Sequence, residues 1–274
     1  MKILTVFNSE RQNGEKIALK CSDILKSAGA EVTVTEFKKS ADLHVDCDYS
    51  GFDTIVAVGG DGTILKVAKT AAMCDKPVIG VNIGRIGYLA SLNSDNLNLL
   101  TNLVNGDYSV ENRMMLNVEL SNNGKVITTC ECLNDAVISK STLSNMIDIS
   151  VVIGNESINY RSDGFIVSTP TGSTAYSMSA GGPVVDPILG CMILTPVCPH
   201  TLMSRSMVIN GDSEILIHVG GNSEGESYFF ADGRGAVGLK NGSVLKISCS
   251  KKTAKFIKLN DLSVYKVFSE KSRL

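Results

Sequence analysis

The sequence predicts an α/β N-terminal domain with a mainly parallel sheet, followed by a mostly-β, sandwich-like C-terminal domain. The first hundred or so residues alternate strand-like and helix-like patterns. Near residue 113 the pattern changes to short strands separated by glycine-bearing turns, without long amphipathic helices. With 274 residues, of which 43% are hydrophobic, the chain is long enough for one large domain or for two ordinary ones. We therefore assign 1–112 to the first domain and 113–254 to the second, and expect 255–274 to pack back on the first.

The first two predicted strands flank an amphipathic helix. Residues 2–7, KILTVF, and 31–37, EVTVTEF, are rich in the β-branched and aromatic residues that favour strands. Between them, GEKIALKCSDILKSAG repeats apolar residues every three or four positions, as on one face of a helix. Gly29 stands where the C-terminal cap of this helix is expected.

The next two predicted strands are the most apolar of the chain. FDTIVAV (52–58) and PVIGVN (77–82) are nearly continuous apolar runs, typical of parallel strands buried on both faces. Residues 63–74 lie between them and have a helical pattern, which Pro77 ends.

A third helix is predicted after these strands. Ser94 is a candidate N-cap, and Leu97, Leu100 and Val104 follow at helical spacing. The resulting order, strand–helix–strand–strand–helix–strand, favours a parallel sheet covered by helices.

The second domain is predicted from its hairpins. LNVELSNNGKVITT (116–129) has two alternating runs around Asn-Asn-Gly, which is a strong hairpin signal. Residues 147–161 repeat the pattern around Gly154 and Asn155. The runs SEILIHV, SYFFADG, AVGLK and SVLKISC continue it, so we expect two packed sheets.

Composition excludes several classes of function. The net charge is −2 and no block of Lys and Arg is present, so no nucleic-acid partner is expected. No apolar stretch is long enough to cross a bilayer, and we expect a cytoplasmic protein without a membrane partner. The eight cysteines form no Cys-x-x-Cys pair, so reduced thiols are expected rather than a protein metal site.

The sequence VAVGGDGTIL (56–65) places three glycines and one acid between a buried strand and a helix. Ligands of open parallel sheets bind at the carboxyl ends of the strands, and a helix N-terminus suits a phosphate. Gly59, Gly60 and Gly62 would let phosphate oxygens approach the backbone. Asp61 is either the helix N-cap or a base or metal ligand beside the phosphates, and spacing alone does not decide. Neither a Walker-type loop nor G-x-G-x-x-G after the first strand occurs.

A second unusual stretch, RSDGFIVSTPTGSTAYSMSAGGPVVDP (161–187), is dense in Ser, Thr and Gly. Long loops of this kind in compact domains are usually functional. Its hydroxyls could form the polar rim of a pocket, Tyr176 could stack on a planar ring, and Asp163 could accept hydrogen bonds from a ribose or an amide.

Five segments resemble the NAD kinase family, in the family's order: GGDGT (59–63), GVNIGRIGYL (80–89), LNDAV (133–137), DGFIVSTPTGSTAYSMSAGGP (163–183) and FFADGR (229–234). A GGDG loop alone also occurs in relatives such as diacylglycerol, sphingosine and 6-phosphofructo-kinases, whereas STPTGSTAYSMSAGGP is far more specific. The resemblance implies an α/β domain and a β-sandwich-like domain. It also implies transfer of the terminal phosphoryl group of ATP to the adenosine ribose 2′-hydroxyl of NAD, giving NADP.

The resemblance implies roles for individual residues. Asp61 matches the catalytic aspartate, which we interpret as the general base for the ribose hydroxyl. Asn134 and Asp135 match a pair that holds the adenosine ribose, with Asp135 where the family often has Glu. Tyr88 matches an aromatic residue that packs near the adenine. The other candidate substrate- and cofactor-binding residues are Gly59, Gly60, Gly62, Thr63, Lys66, Asn145, Arg161, Asp163, Thr174, Ala175, Tyr176, Ser177, Met178, Ser179 and Arg234, which stands where Gln is common.

The expected substrates are NAD and ATP, with Mg²⁺ or another divalent cation on the ATP phosphates offsetting their repulsion from Asp61. The resemblance also implies homo-oligomers, as dimer or tetramer. Two other functions fit these residues: a lipid or sugar kinase that shares the GGDG loop, and a non-catalytic dinucleotide sensor. The polar 163–183 segment disfavours a lipid tail, and an intact Asp61 argues against a sensor.

Overall fold

A computed structural model describes residues 1–37, 48–84, 87–141, 145–201, 204–220, 227–260 and 263–271. The described residues form two compact units. The first unit takes those within 1–113 and 252–274, and the second takes those within 114–251.

The elements follow one another in two series. The first series is β1 (Lys2–Phe7), α1 (Gly14–Ser27), β2 (Glu31–Glu36), β3 (Thr54–Gly59), α2 (Asp61–Met73), β4 (Val78–Asn82), β5 (Leu92–Asn93), a 3₁₀ turn (Leu97–Leu99) and α3 (Leu100–Asn105). The second series is β6 (Ser109–Asn122), β7 (Lys125–Cys132), β8 (Asp135–Lys140), β9 (Ile147–Ile153), β10 (Glu156–Ser162), β11 (Gly164–Ser168), a 3₁₀ turn (Thr171–Thr174), α4 (Tyr176–Ser179), β12 (Cys191–Val197), β13 (Met207–Asn210), β14 (Ile215–Gly220), β15 (Ser227–Ala231), β16 (Arg234–Leu239), β17 (Ser243–Lys258) and α5 (Val264–Lys271).

The first unit is built on a parallel sheet in the order β2-β1-β3-β4. All six residues of β3 are buried, as its continuous apolar sequence predicts for a strand covered on both faces. The last part of β17 also pairs in parallel with β4, with Phe256 opposite Val78. None of the described helices combines the length and apolar character needed to span a bilayer.

The helices of the first unit follow their sequence patterns with one exception. Helix α1 buries Ala18, Cys21 and Leu25 on one face, and Gly29 adopts the left-handed conformation just after its end. The prediction that Ser94 caps the third helix is wrong. The Ser94 hydroxyl donates to Asp95 instead, and the 3₁₀ turn begins only after Asn96, whose side chain accepts the N–H of Asn93. This local bond closes a turn and delays the helix.

The second unit contains two antiparallel sheets. One joins β10-β9-β14 to the first part of β17 and to the β6–β7 hairpin, and the other has the order β13-β12-β11-β8-β15-β16. Side chains of both sheets share one core around Phe165, Phe229 and Ile217. The predicted fold class is therefore confirmed. Asn123 and Gly124 both have positive φ in the β6–β7 turn, as the Asn-Gly hairpin signal requires.

Candidate active site

The glycine-rich loop lies between β3 and α2, at the carboxyl edge of the parallel sheet. Strand β3 ends at Gly59, Gly60 is the N-cap of α2, and no side chain caps the helix. Interpreting Asp61 as the N-cap is therefore wrong, because Asp61 is already the first helical residue. A Cβ atom on Gly59 would lie 2.6 Å from the Cβ of Thr63, so this close turn admits only glycine without rearrangement.

The Asp61 carboxylate is held by backbone amides 27 and 28 residues further along. Its Oδ2 accepts the N–H of Tyr88 at 2.9 Å, and its Oδ1 accepts that of Leu89 at 3.2 Å. The side chain is half-buried, and a Cβ on Gly87 would come within 1.9 Å of Oδ1. Since an ionised carboxylate has about four acceptor sites, two occupied sites fix its orientation and leave others for a ligand.

Tyr88 shares this corner of the first unit with the C-terminal helix. The Lys271 ammonium lies 4.1 Å from the centre of its ring, a cation–π contact. Burial, and secondarily the charge of Asp61, raises the pKa of the Tyr88 hydroxyl. Arg85 and Ile86 of the 80–89 motif lie outside the described residues.

A cleft of about 700 Å³ opens beside the start of α2. It is lined by Gly62, Thr63 and Lys66, and by residues at or just after the carboxyl ends of β1 and β2: Asn8, Ser9, Glu10, Arg11, Glu36 and Phe37. The second group was missed from the sequence. Their position in the sequence could have revealed them, since residues that follow β1 lie at the edge where parallel sheets bind ligands.

The cleft has two charges of each sign. Arg11 and Lys66 face it together with Glu10 and Glu36. The Asn8 amide donates to the Thr63 hydroxyl at 3.2 Å, tying the β1 loop to the start of α2. Among the described residues, no group of three or more His, Cys, Asp or Glu side chains is arranged to hold a metal ion.

In the second unit, Asn134 and Asp135 lie at the start of β8. Asp135 is only 5% exposed, and its burial, with a smaller contribution from the charge of Asp232, raises its pKa to about 7. The Asn134 Oδ1 atom is buried and accepts no hydrogen bond within the described part of the chain. An unsatisfied buried acceptor is costly, so this atom is suited to receive a donor from a ligand.

The turn after β11 packs directly onto Asn134. The Thr169 N–H donates to the carbonyl of Asn134 at 2.9 Å, and the Thr169 hydroxyl donates to that of Leu133 at 2.6 Å. A Cβ on Gly172 would lie 2.2 Å from the Asn134 carbonyl oxygen. Thr169 and Gly172 were missed as site residues, although both lie within the Ser/Thr/Gly-rich stretch.

The predicted pocket residues 174–179 follow on this turn. Thr174 ends the 3₁₀ turn, Ala175 precedes α4, and α4 contains Tyr176 to Ser179. Tyr176 is 43% exposed, so its ring is available for stacking. Ser177 is buried, and its hydroxyl pairs with that of Thr195 at 3.0 Å, while Met178 is half-buried. These contacts give Ser177 a packing role.

Asp163 lies away from this group. Asp135 is opposite Ser168 at one end of the β8–β11 pair, whereas Asp163 adjoins Gly164 at the other end. Five residues of strand separate the ends, which is about 17 Å. The Asp163 carboxylate is paired with Lys140 at 2.9 Å, and Asn145 and Arg161 are exposed.

Arg234 is the first residue of β16, directly after the Asp232–Gly233 turn. It is half-buried, and burial lowers its pKa, partly opposed by the charge of Asp232. The structure thus brings Arg234 close to the Asn134–Asp135 group through Asp232.

Two family models match the chain: the ATP-NAD kinase N-terminal domain over residues 3–108 and the ATP-NAD kinase C-terminal domain over residues 133–259. The NAD kinase of Symbiobacterium thermophilum is 40% identical over 221 residues, covering 80% of this chain and 78% of the relative. That of Moorella thermoacetica is 36% identical over 282 residues, covering 98% and 88%.

Solved structures match over the whole chain. The crystal structure of an NAD kinase from Archaeoglobus fulgidus in complex with ATP is 28% identical, with a TM-score of 0.78, covering 100% of this chain and 99% of that one. The structure of yeast NADH kinase complexed with NADH has a TM-score of 0.85 at 19% identity, covering 100% and 88%, and shows the fold alone.

A parallel sheet with a glycine-rich acidic loop is joined in one chain to two antiparallel sheets, and the matched ATP-NAD kinase models place this arrangement in the phosphotransferase class of enzymes. The matches to both domain models, together with relatives at 36–40% identity, identify it further. The chain belongs to the ATP-NAD kinase family.

Proposed function

We propose that this chain is an NAD kinase that transfers the terminal phosphoryl group of ATP to the 2′-hydroxyl of the adenosine ribose of NAD, giving NADP. The observation that carries the proposal is the Asp61 carboxylate, which two backbone amides hold in one orientation at the start of α2. Family membership supports the same reaction.

Asp61 acts as the general base. A ribose hydroxyl is a poor nucleophile at neutral pH, and a carboxylate within hydrogen-bond reach orients it and takes its proton as the bond to phosphorus forms. Assistance of this kind typically accelerates a reaction by about 10²–10⁴-fold. The Tyr88 and Leu89 amides supply the fixed orientation, so the carboxylate does not have to be ordered during the reaction.

The ATP phosphates occupy the cleft beside α2. The N–H of Gly62, in the first turn of the helix, is suited to phosphate oxygens, and Arg11 and Lys66 supply positive charge. Glu10 and Glu36 offer the oxygen ligands that Mg²⁺ prefers, so the residues fit a divalent cation that arrives with ATP. Such a cation would offset the charge of the phosphates.

NAD binds to the second unit. The Asn134 amide oxygen and the Asp135 carboxyl hold the adenosine ribose, since one is a buried acceptor and the other is a buried acid. Tyr176 stacks on a ring of the dinucleotide, and the other residues of 174–179 shape its pocket. In this proposal the first unit carries the phosphate loop and the second unit carries the dinucleotide site.

Asn145, Arg161 and Asp163 take part in a site completed by a second copy of the chain, as a dimer or tetramer. The distance of Asp163 from Asp135 within one chain, about 17 Å by strand length, supports this assignment. Co-expression of an Asn134→Ala chain with an Asp163→Ala chain should restore activity that neither variant has alone. Failure of the mixed oligomer to recover activity would argue for a site within one chain.

We place the protein in the cytoplasm, without a nucleic-acid or membrane partner. The seven cysteines of the described residues are all free thiols, which fits a reducing compartment. Cys47 lies outside the described residues.

Incubation of the purified chain with NAD and Mg-ATP tests the reaction directly. An NADP-specific dehydrogenase should report NADP that accumulates with time and enzyme concentration. Parallel reactions with NADH and with polyphosphate define the acceptor and the donor. Binding of NAD without formation of NADP would contradict the proposal.

A further inference from the structure

The turn between β15 and β16 consists of Asp232 and Gly233. Both residues have positive φ, 51° and 70°, and Ala231 pairs with Arg234 across the turn. This is the geometry of a type I′ hairpin turn, for which Asp-Gly and Asn-Gly are preferred sequences. The hairpin therefore explains why a small polar residue stands at 232, but it does not require a charge there.

The Asp232 carboxylate accepts hydrogen bonds from residues 133–135, at the start of β8. Its Oδ1 accepts the N–H of Asn134 at 2.7 Å and that of Asp135 at 3.2 Å, and its Oδ2 accepts that of Leu133 at 3.1 Å. In return, the Asp232 N–H donates to the Asp135 carbonyl at 2.9 Å. Four hydrogen bonds thus join one residue to three consecutive residues nearly a hundred positions earlier in the chain.

This arrangement fixes the backbone from which two site residues project. Hydrogen bonds to a carboxylate are stronger than those to a neutral acceptor, so they hold the 133–135 segment firmly. The same charge lies close to the buried Asp135, where a second carboxylate is electrostatically unfavourable.

We propose that Asp232 is a positioning residue for NAD: through the amides of 133–135 it holds the Asn134 amide and the Asp135 carboxyl where they meet the substrate ribose. This inference rests on the proposed function of the second unit. Asp232 itself does not contact the reacting atoms.

The variant Asp232→Asn separates this role from the role in the turn. Asn-Gly forms the same turn, but Asn has one acceptor oxygen, so at least one of the three amides loses its partner. The KM for NAD should rise about tenfold or more, with the KM for ATP within about twofold of the wild type. Asp212→Asn, in another exposed turn of this unit, is the matched control and should leave both constants unchanged.

A double-mutant cycle with Asp135→Ala shows whether Asp232 acts through this segment. In the Asp135→Ala background, Asp232→Asn should raise the KM for NAD by a smaller factor than it does in the wild type, because one of the two positioned groups is already missing. Equal rises in both KM values, an unchanged KM for NAD, or fully additive effects would overturn the proposal. If Asp232→Asn fails to fold, Asp232→Glu, which keeps the charge but displaces it, replaces it in the test. The KM for NAD should again rise while the KM for ATP is retained. Formation of NADP by the wild type tests the NAD kinase assignment separately, since the positioning role is judged only from the KM of each variant relative to that of the wild type.

Discussion

At the scale of the residue, Asp61 gains its orientation from amides that belong to a distant part of the chain. The Tyr88 and Leu89 N–H groups bind its two oxygens on one side. Substrate must therefore approach the remaining acceptor sites, which fixes where the ribose hydroxyl lies relative to the carboxylate. A flexible acid at the same position could bind a cation or a hydroxyl but would not select one geometry.

Asp61→Asn tests the base directly. The amide cannot accept a proton, so kcat should fall by about two orders of magnitude or more, while NAD binding measured by calorimetry changes little. Asp107→Asn, at an exposed position of the same unit, is the control and should keep full turnover. Near-normal turnover of Asp61→Asn would remove Asp61 as the base.

Gly87→Ala tests whether the orientation of Asp61 matters. A methyl group at 87 would lie 1.9 Å from Asp61 Oδ1, so the carboxylate must move away from its amide donors. We expect kcat to fall at least about tenfold, with the thermal midpoint lowered only modestly. Gly51→Ala adds a methyl group with no atom within 4 Å and should leave kcat unchanged. Equal rates in the two variants would contradict a positioning role for these amides.

Asp135 should make stability depend on pH in the direction opposite to most acids. Its pKa in the folded protein, about 7, lies above the ordinary value of 3.8, so the folded state disfavours the ionised form. Its contribution to the free energy of unfolding is therefore greatest below about pH 4 and is lost as pH rises to about 7. Urea denaturation of wild type and Asp135→Asn between pH 5 and 8 should show the wild type losing stability relative to the variant as pH rises. A constant difference would contradict this assignment.

The residue types at the site could be predicted from the sequence, but their partners could not. Asp61 and the Asn134–Asp135 pair are recognisable from local motifs. Their hydrogen-bond partners come from segments 27 and almost 100 residues away, because the fold, and no local pattern, brings them together. Arg11 was missed for the same reason, since a single Arg after a strand has no distinctive spacing.

At the scale of the element, the turn after β11 joins that strand to the segment that carries Asn134 and Asp135, the residues proposed to hold the ribose. Gly172 of this turn lies against the Asn134 carbonyl, and Thr169 donates hydrogen bonds to the carbonyls of Leu133 and Asn134. These contacts therefore tie the turn to the start of β8. Strands and hairpins themselves were predictable, because period-two alternation and Asn-Gly turns are local signals. The absence of a Ser94 cap was not predictable, because Asn and Ser side chains can both accept backbone N–H bonds and the sequence does not show that Asn96 accepts the one from Asn93.

Gly172→Ala should disturb both stability and NAD binding. The added methyl group would lie 2.2 Å from a backbone oxygen, which cannot rotate away as a side chain could. We expect a loss of about 1–3 kcal/mol in the free energy of unfolding and a raised KM for NAD with the KM for ATP retained. Gly190→Ala, in the same unit and with open space around it, serves as the control. Wild-type stability of Gly172→Ala would show that the turn can move independently of β8.

At the scale of the whole molecule, the two substrates place different electrostatic demands on the chain. In the proposed function, NAD meets hydroxyls, an amide and a buried acid whose pKa is raised to about 7 in the second unit, whereas the ATP phosphates meet a cleft with two bases and two acids in the first. The cleft therefore supplies no net positive charge to a triphosphate, and the Asp61 carboxylate lies directly before Gly62 of its lining in the sequence. Charge neutralisation has to come largely from a cation that ATP brings with it.

Removal of divalent cations should thus separate the two binding events. With excess EDTA, NADP formation should fall at least about a hundredfold, because the phosphates lose their counter-charge beside Glu10, Glu36 and Asp61. NAD binding, measured by calorimetry in the same buffer, should stay within about twofold, since its contacts in the second unit involve no cation. Adding Mg²⁺ back should restore the rate in proportion to Mg-ATP, and sodium chloride at equal ionic strength should not. Undiminished turnover in EDTA would mean that Arg11, Lys66 and the amides of α2 neutralise the triphosphate without help.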